Sequence, residues 1–596
     1  MSSVPERSEI DAEYKWDLES IYATDDEWEA AYDAVEEQID ELASYEGQAT
    51  DDGETLLSVL ELRDEVMREV SMIASYARMR KDEDTTDQQY QALEGRAMSL
   101  SSDASSAASF IGPEIQRLDR EAVERMVEST DGLEEYDHYL DDVLRMADHT
   151  RSAEVENVLA ELGEVTGASG DIYGMLMNAD LEFPTVEKPD GEAVEITQSN
   201  FTTLQKNPDR EFRQTVYEEF YDGLGEVHNT IGTAYKNNVK ADVQLARIHN
   251  YETAREAAMD GPNIPTEVYD NLVETVRDNL DKLHRHAELK RESLGVEELR
   301  MWDLYMPMTE TETPDVEYET ATDHVVESLG TLGEDYQNRV AEGLESKWVD
   351  VYETQNKRAG AYSGGTYDTQ PFILLNWQDD ISSMFTLAHE LGHSLHSQLT
   401  SENQPYVYGS YEIFVAEVAS TVNETLLTNH LLETVEDPTF RRHVLNEYLE
   451  RFRSTLYRQT MFADFEHQAH QVVEEGGALT PETADEIYGD LKTEFYEPAV
   501  VDDRIAREWS RIPHFFRSYY VYQYSTGISA AVALADRILE EGEPAVEDYL
   551  EFLSSGSRQY PLELLEIAGV DMSSPEPIQR ALDVYDEYLD EMAALV

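Results

Sequence analysis

One eleven-residue stretch, Thr386 to His396, constrains this chain more than any other: Thr-Leu-Ala-His-Glu-Leu-Gly-His-Ser-Leu-His. As an α-helix it sets His389 and His393 at i and i+4, one above the other on a single face, so two imidazoles can bind one metal ion. That spacing suits zinc. Glu390 is turned about 100° around the helix from His389, which keeps it off the ion but within reach of a water on it. It is a candidate general base. An acidic, histidine-containing helix also yields His-Glu-x-x-His by accident, so the neighbours of the motif must decide its meaning.

Those neighbours read as a buried helix fed by a strand. Pro371 to Trp377 is an apolar run of strand length, and Asp379, Asp380, Ser382 and Ser383 offer N-cap chemistry for a helix beginning near Ile381. Phe385, Leu387, Ala388, Leu391 and Leu395 surround the histidines with apolar bulk, and a water-poor setting strengthens each electrostatic contact with a metal. Gly392 costs a helix interior about 1 kcal/mol relative to Ala. Close approach of another backbone would account for it.

Catalytic zinc sites take three protein ligands and keep one open position. Tyr411 to Leu427 supplies the candidate third: in an otherwise apolar helical segment Glu417 stands between apolar Phe414 and Val418. The competing reading is a structural carboxylate paired to Arg. Glu424, seven residues on and on nearly the same face, suits a partner that orients a histidine ligand. Glu412 reads as an acid at the helix start.

With these residues placed, the chain resembles the thimet-type oligopeptidases, most closely their oligoendopeptidase F branch. The resemblance rests on His389-Glu390-Leu391-Gly392-His393 followed 24 residues later by Glu417 within Phe-Val-Ala-Glu-Val-Ala-Ser. Supporting segments are Ser346 to Tyr352, Gly360 to Gly365, Arg458 to Ala463 and Ile512 to Phe515; a looser likeness begins at Tyr14-Lys15-Trp16-Asp17-Leu18. It implies a mainly α, multi-helical zincin-type peptidase with a small β-sheet near the active site and a deep substrate channel. It also implies one Zn2+ per chain and cleavage of internal bonds in short peptides. The family uses a His and Tyr residues from the region of His514 to Tyr524 to stabilise the oxyanion. His514, Tyr522 and Tyr524 are therefore catalytic candidates, with Tyr519 and Tyr520 in contention because the tyrosine spacing is tighter than in the thimet branch. Tyr362, Gly364 and Gly365 are candidate substrate-binding residues, on a strand edge to which an extended peptide could add by main-chain hydrogen bonds, and Tyr519 and Tyr520 are further substrate-binding candidates.

Composition narrows the alternatives. The 596 residues carry 44 basic and 127 acidic side chains, a net charge of −83. A phosphate backbone would be repelled, which excludes nucleic acid as a partner. Hydrophobic residues still make up 41%, enough for a large core. With no cysteine, disulfides and thiolate ligands are out of play, and any metal must be held by nitrogen and oxygen. The N-terminus lacks a basic region followed by an apolar one, and the longest apolar run, Ile528 to Ala535, is too short for a bilayer. A cytoplasmic protein with no membrane partner is the expectation; the oligomeric state is open.

Residues 19 to about 180 repeat helical apolar spacing between acidic faces, broken at Gly112-Pro113 and again over Leu181 to Gly191 with Pro184 and Pro189. This divides the chain into an N-terminal helical domain, 1–190, walling the channel, and a catalytic domain, 191–596. Met301 to Tyr305 reads as a short strand. His284 and His286, two residues apart on a charged helix, share no face and are expected in solvent. His467 and His470 are assigned a structural role, and His396 is a neighbour of the site. Two further readings stay open: a related metallocarboxypeptidase, and a non-enzymatic helical peptide-binding protein.

Acids spread over every helix, with Arg in excess of Lys, read as adaptation to a salt-rich cytoplasm. Self-repulsion acts over about 10 Å at 0.1 M salt but about 3 Å at 1 M. Stability and activity should therefore both rise between 0.1 M and molar KCl; a thermal midpoint that is flat or falling across that range would refute halophilic adaptation.

Overall fold

The computed structural model describes residues 4–309 and 313–595. The chain is mainly α, and the strands among the described residues form one two-stranded and one three-stranded sheet. The helices show how so acidic a sequence still builds a core. Asp25–Ala43 opens on Asp25, Asp26 and Glu27, where the helix dipole favours negative charge, and the Thr24 side chain accepts from the Glu27 amide. Its acids face outward while Trp28, Val35, Ile39 and Leu42 are buried.

Contacts divide the chain into two compact units. One comprises the chain up to Asp148 with Asp315–His430 and Leu534–Gly569; the other comprises His149–Pro314, Leu431–Ala533 and Val570–Val596. None of the crossings falls at residue 190, so compactness gives that boundary no support, and the division remains a proposal about function.

In the first unit the three-stranded sheet holds β1 (Val349–Tyr352), β2 (Tyr362–Gly364) and β3 (Phe372–Trp377) in the order β1-β3-β2. β3 is the apolar run expected as a strand; it is central, parallel to β1 and antiparallel to β2, with all but Asn376 buried. A strand covered on both faces and paired on both edges must be apolar throughout. β2 is one of the two edge strands, paired to β3 as Tyr362 to Leu374, Ser363 to Ile373 and Gly364 to Phe372. The long helix α1 (Gly53–Glu83) covers the sheet, its Ile73, Tyr76 and Met79 sharing a core with Trp16, Trp28, Phe372 and Leu374. Also in this unit is α2 (Tyr318–Leu329).

After β3 the chain turns through Asp379, held at φ +52, and enters α3 (Ile381–Asn403). Asp380 is the N-cap, its carboxylate accepting from the Ser383 amide at 2.7 Å. The next long helix, α4 (Ile413–Thr434), crosses α3 at Gly392. A Cβ on Gly392 would stand 2.5 Å from Ser420 Cα and 2.7 Å from the Ala419 carbonyl oxygen. The cost of glycine inside α3 thus permits backbone-to-backbone contact.

In the second unit the expected break near Pro184 and Pro189 is an antiparallel hairpin, Thr185–Glu187 with Ala193–Glu195. Two expectations fail here. Met301–Asp303 is a 3₁₀ turn instead of a strand, because Asp303 is fully buried against Arg213 and accepts from its own turn's Arg300 amide. His286 is buried instead of exposed: its Nδ1 lies 2.7 Å from the Tyr585 hydroxyl, and Lys290 and Glu450 pair beside it. Its helix, Leu280–Ser293, is charged in sequence yet packs one face against Glu576–Leu595. His284, also expected in solvent, is half-buried with its Nε2 2.8 Å from the Glu494 carbonyl oxygen, and His470 is buried with its Nδ1 on the Glu466 carbonyl.

Gly392→Ala would gain helix propensity worth about 1 kcal/mol and lose more, because the clashing atoms are backbone and overpacking costs about 1–3 kcal/mol. Guanidinium unfolding in molar KCl should show net destabilisation.

Candidate active site

His389 and His393 project from α3 towards α4, where Glu417 meets them. The two Nε2 atoms are 3.2 Å apart, and Glu417 Oε2 lies 3.5 Å from one and 3.8 Å from the other. Ligands 2.0–2.1 Å from a tetrahedral ion sit about 3.3 Å from one another. The three donors fit such an ion.

A buried carboxylate orients the first ligand. Glu424 is fully buried and its Oε1 is 2.7 Å from His389 Nδ1, so the ring donates there and turns the lone pair of Nε2 towards His393 and Glu417. Burial opposes protonation of His389, but Glu424 outweighs it and the imidazole's pKa is raised. His393 shows the opposite balance: burial and the neighbouring His389 push it down to about 4. Asn423, between these acids, donates to the Ala388 carbonyl at 3.2 Å and accepts from Tyr336. It ties α4 to α3 one residue before the first ligand.

Glu390 is buried, and its pKa is raised to about 7, first by burial and then by Glu417 acting against His389. The backbone of Ser363 on β2 stands beside its carboxylate and favours the charged form, and Ser363 Oγ lies 2.8 Å from Ser394 Oγ of α3. Strand edge and candidate base are thereby one construction. A cavity of about 470 Å³ opens beside them, lined by Ser363, Gly364, Gly365, His393, Tyr411 and Glu417 among others.

The substrate-side candidates separate by environment. Tyr362 faces α1: its hydroxyl donates to Asp82 at 2.8 Å and burial raises its pKa. Gly365 has φ +123, and a Cβ there would meet the Gln370 carbonyl oxygen at 2.9 Å, so the turn between β2 and β3 itself requires glycine. At Gly364 a Cβ would meet the Tyr362 ring at 3.2 Å. His396 is buried, stacked on Tyr411 at 3.7 Å, with its pKa pushed down to about 3 by burial. It packs beside the metal-binding face.

His514 and the tyrosine cluster belong to the second unit. His514, Tyr520 and Tyr524 are partly exposed and associate as rings: His514 stacks on Tyr520 at 6.0 Å, and Tyr524 stands edge-on to both. Tyr519 and Tyr522 are buried against Tyr269, and burial raises both phenols.

This arrangement of donors can be set against known proteins. The sequence model of Peptidase family M3 matches residues 203–584, and that of Oligopeptidase F matches residues 114–183. The chain belongs to peptidase family M3. It is 44% identical to oligopeptidase PepF of Bacillus subtilis, over 100% of this chain and 89% of that one. It is 39% identical to group B oligopeptidase PepB of Streptococcus agalactiae, over 99% and 98%. The crystal structure of oligoendopeptidase-F from Enterococcus faecium superposes with a TM-score of 0.75 at 36% identity, covering 96% of this chain and 99% of that one. A Chlamydophila abortus crystal structure gives a TM-score of 0.90 at 31% identity over the whole of both chains. The zincin-type fold and metallopeptidase class expected from sequence both stand. No helix among the described residues is long and apolar enough to cross a membrane.

For this M3 peptidase the structure adds residues that the sequence left unmarked. Arg78, exposed on α1, lines the cavity, and its guanidinium lies 5.5 Å from the Tyr362 ring centroid. Nothing in its local sequence separates it from the other arginines. Ser363 acts through its backbone, which no residue-type pattern reveals. Glu424→Ala should lower metal affinity about 10–100-fold by releasing His389 from its orientation, with little effect on secondary structure; equilibrium dialysis against zinc would read this.

Proposed function

We propose that this M3 peptidase is a zinc-dependent endopeptidase that hydrolyses internal bonds of short oligopeptides. One observation carries the reading: His389, His393 and Glu417 converge at ligand spacing, with His393 and Glu417 lining a cavity and Glu390 next to His389 on the same helix. The relatives named oligopeptidase and oligoendopeptidase support the substrate class.

His389 and His393 with Glu417 would hold the ion. Zinc there supplies Lewis acidity, polarising the scissile carbonyl and lowering the pKa of the attacking water. Glu390 takes the proton of that water and delivers it to the departing amine. Burial, which raises its pKa, helps it take up a proton. The Ser363 backbone keeps the carboxylate aimed while it changes protonation state. Peptide lies along the outer edge of β2 and pairs through main-chain groups, with Gly364 leaving room for its backbone. Residues 1–190 wall the channel; in the first unit α1 does so directly, through Asp82 on Tyr362 and through Arg78. His514 with Tyr520 or Tyr524 donates to the developing oxyanion, and Tyr519 and Tyr522, both buried, hold that cluster in place.

Glu390→Gln should bind zinc at full stoichiometry and lose nearly all turnover; retained turnover would remove Glu390 as the base. A quenched peptide blocked at both termini should be cut internally, with chelator abolishing the reaction and zinc restoring it. Products trimmed only from an unblocked C-terminus would make it a carboxypeptidase. Tyr520→Phe or Tyr524→Phe should lower kcat by about 10²–10³ with zinc content unchanged, whereas Tyr522→Phe should act on stability.

A further inference from the structure

A second cluster of metal-ligating side chains lies in the same unit. His324 and Glu327 stand at i and i+3 on α2, neighbours on the helix surface, and His430 reaches them from the far part of α4. One donor atom from each lies within 4.8 Å of the other two. Glu327 Oε2 is 3.6 Å from His430 Nε2, and the two imidazoles stand edge to face, 5.7 Å between centroids at 63°. His324 Nδ1 is buried without a hydrogen-bond partner among the described residues.

We propose that His324, Glu327 and His430 form a second transition-metal site, taking zinc or an ion of similar chemistry, that fastens α2 to α4. Two arguments converge. The first is internal comparison: at the active site the carboxylate oxygen stands 3.5 and 3.8 Å from its two imidazole nitrogens, and the 3.6 Å separation here falls between them. Such distances are too long for a good hydrogen bond and close to the edge of a zinc tetrahedron, about 3.3 Å. The second is the stranded nitrogen. A buried ring nitrogen with nothing to bond is costly, on the order of 1–3 kcal/mol, and an ion would satisfy it. Two imidazoles and one carboxylate select zinc over calcium or magnesium, which want oxygen alone.

The site opens to solvent, since the Glu327 side chain is 68% exposed, so water completes the coordination. Its place on α4 gives it a consequence. His430 is 13 residues beyond Glu417, about 20 Å along the helix, so the ion anchors one end of the helix whose other end supplies a ligand to the active site. This is a positioning role, separate from the chemistry.

Zinc stoichiometry of the full chain in molar KCl tests the proposal without using activity as the readout. Dialysed against saturating free Zn2+, the wild type should hold two equivalents. The His324→Gln/His430→Gln variant should hold one, and His389→Ala/His393→Ala should also hold one. Glu327→Gln, exposed and harmless to folding, should weaken the second equivalent by roughly tenfold or more. One equivalent in the wild type would overturn the proposal, as would two equivalents indifferent to all three substitutions at 324, 327 and 430.

Discussion

The contact of α3 with α4 at Gly392 and Ser420 is the constraint from which the active site follows. Two helices carrying ordinary side chains pack 8–10 Å apart; without a Cβ at Gly392 the backbones close further, and the Ser420 Cα fills the space. Residues within one turn of that point then face each other across a gap the size of one ion. His389 and His393 flank Gly392 on α3, and Glu417 and Glu424 flank Ser420 on α4. The Asn423 bond to the Ala388 carbonyl fixes the register of one helix on the other. A slide of one residue would replace the carboxylates by Val418 or Thr425.

Three glutamates within this small volume serve three purposes, and environment assigns them. Glu424 is sealed from water and committed to His389 Nδ1, so it tunes a ligand and is out of reach of substrate. Glu417 is partly exposed, with its oxygen among the imidazole nitrogens, where an ion would sit. Glu390 is buried beside them, and desolvation together with the charge of Glu417 raises its pKa to about 7. Negative charges gathered this closely favour a cation among them. The geometry therefore favours metal at the nitrogens and a proton available at Glu390.

Much of this was legible in the sequence because helix periodicity converts spacing into geometry. His-Glu-x-x-His, the lone Glu417, the partner seven residues later and the glycine between the histidines all sit where a 3.6-residue repeat puts them. What the sequence could not give came from contacts between distant segments. His286 looked solvated because its neighbours are charged, yet Tyr585, 299 residues away, covers it. Met301 to Tyr305 carries the aromatic and apolar residues of a strand, but Arg213 draws Asp303 inward and closes a turn. Among the crowded tyrosines the sequence pointed to Tyr522 and Tyr524 with Tyr519 and Tyr520 in contention, and it could not show that Tyr519 and Tyr522 are buried while Tyr520 and Tyr524 are partly exposed. Ser363, working through its backbone, has no signature at all.

A chain with 127 carboxylates and 15 histidines raises the question of how any ion finds the right place. Oxygen donors are everywhere on such a surface, and monovalent salt screens them without lasting coordination. Nitrogen is the scarce donor. Only where two imidazoles are fixed together does a site gain the softness that prefers zinc over hard cations. The charge that repels nucleic acid also gathers cations of every kind near the protein, so discrimination has to be local. At His389 it would be made by Glu424, whose contact with Nδ1 leaves Nε2 available to an ion. Abundant carboxylates bring cations near, and the few imidazoles decide which one stays.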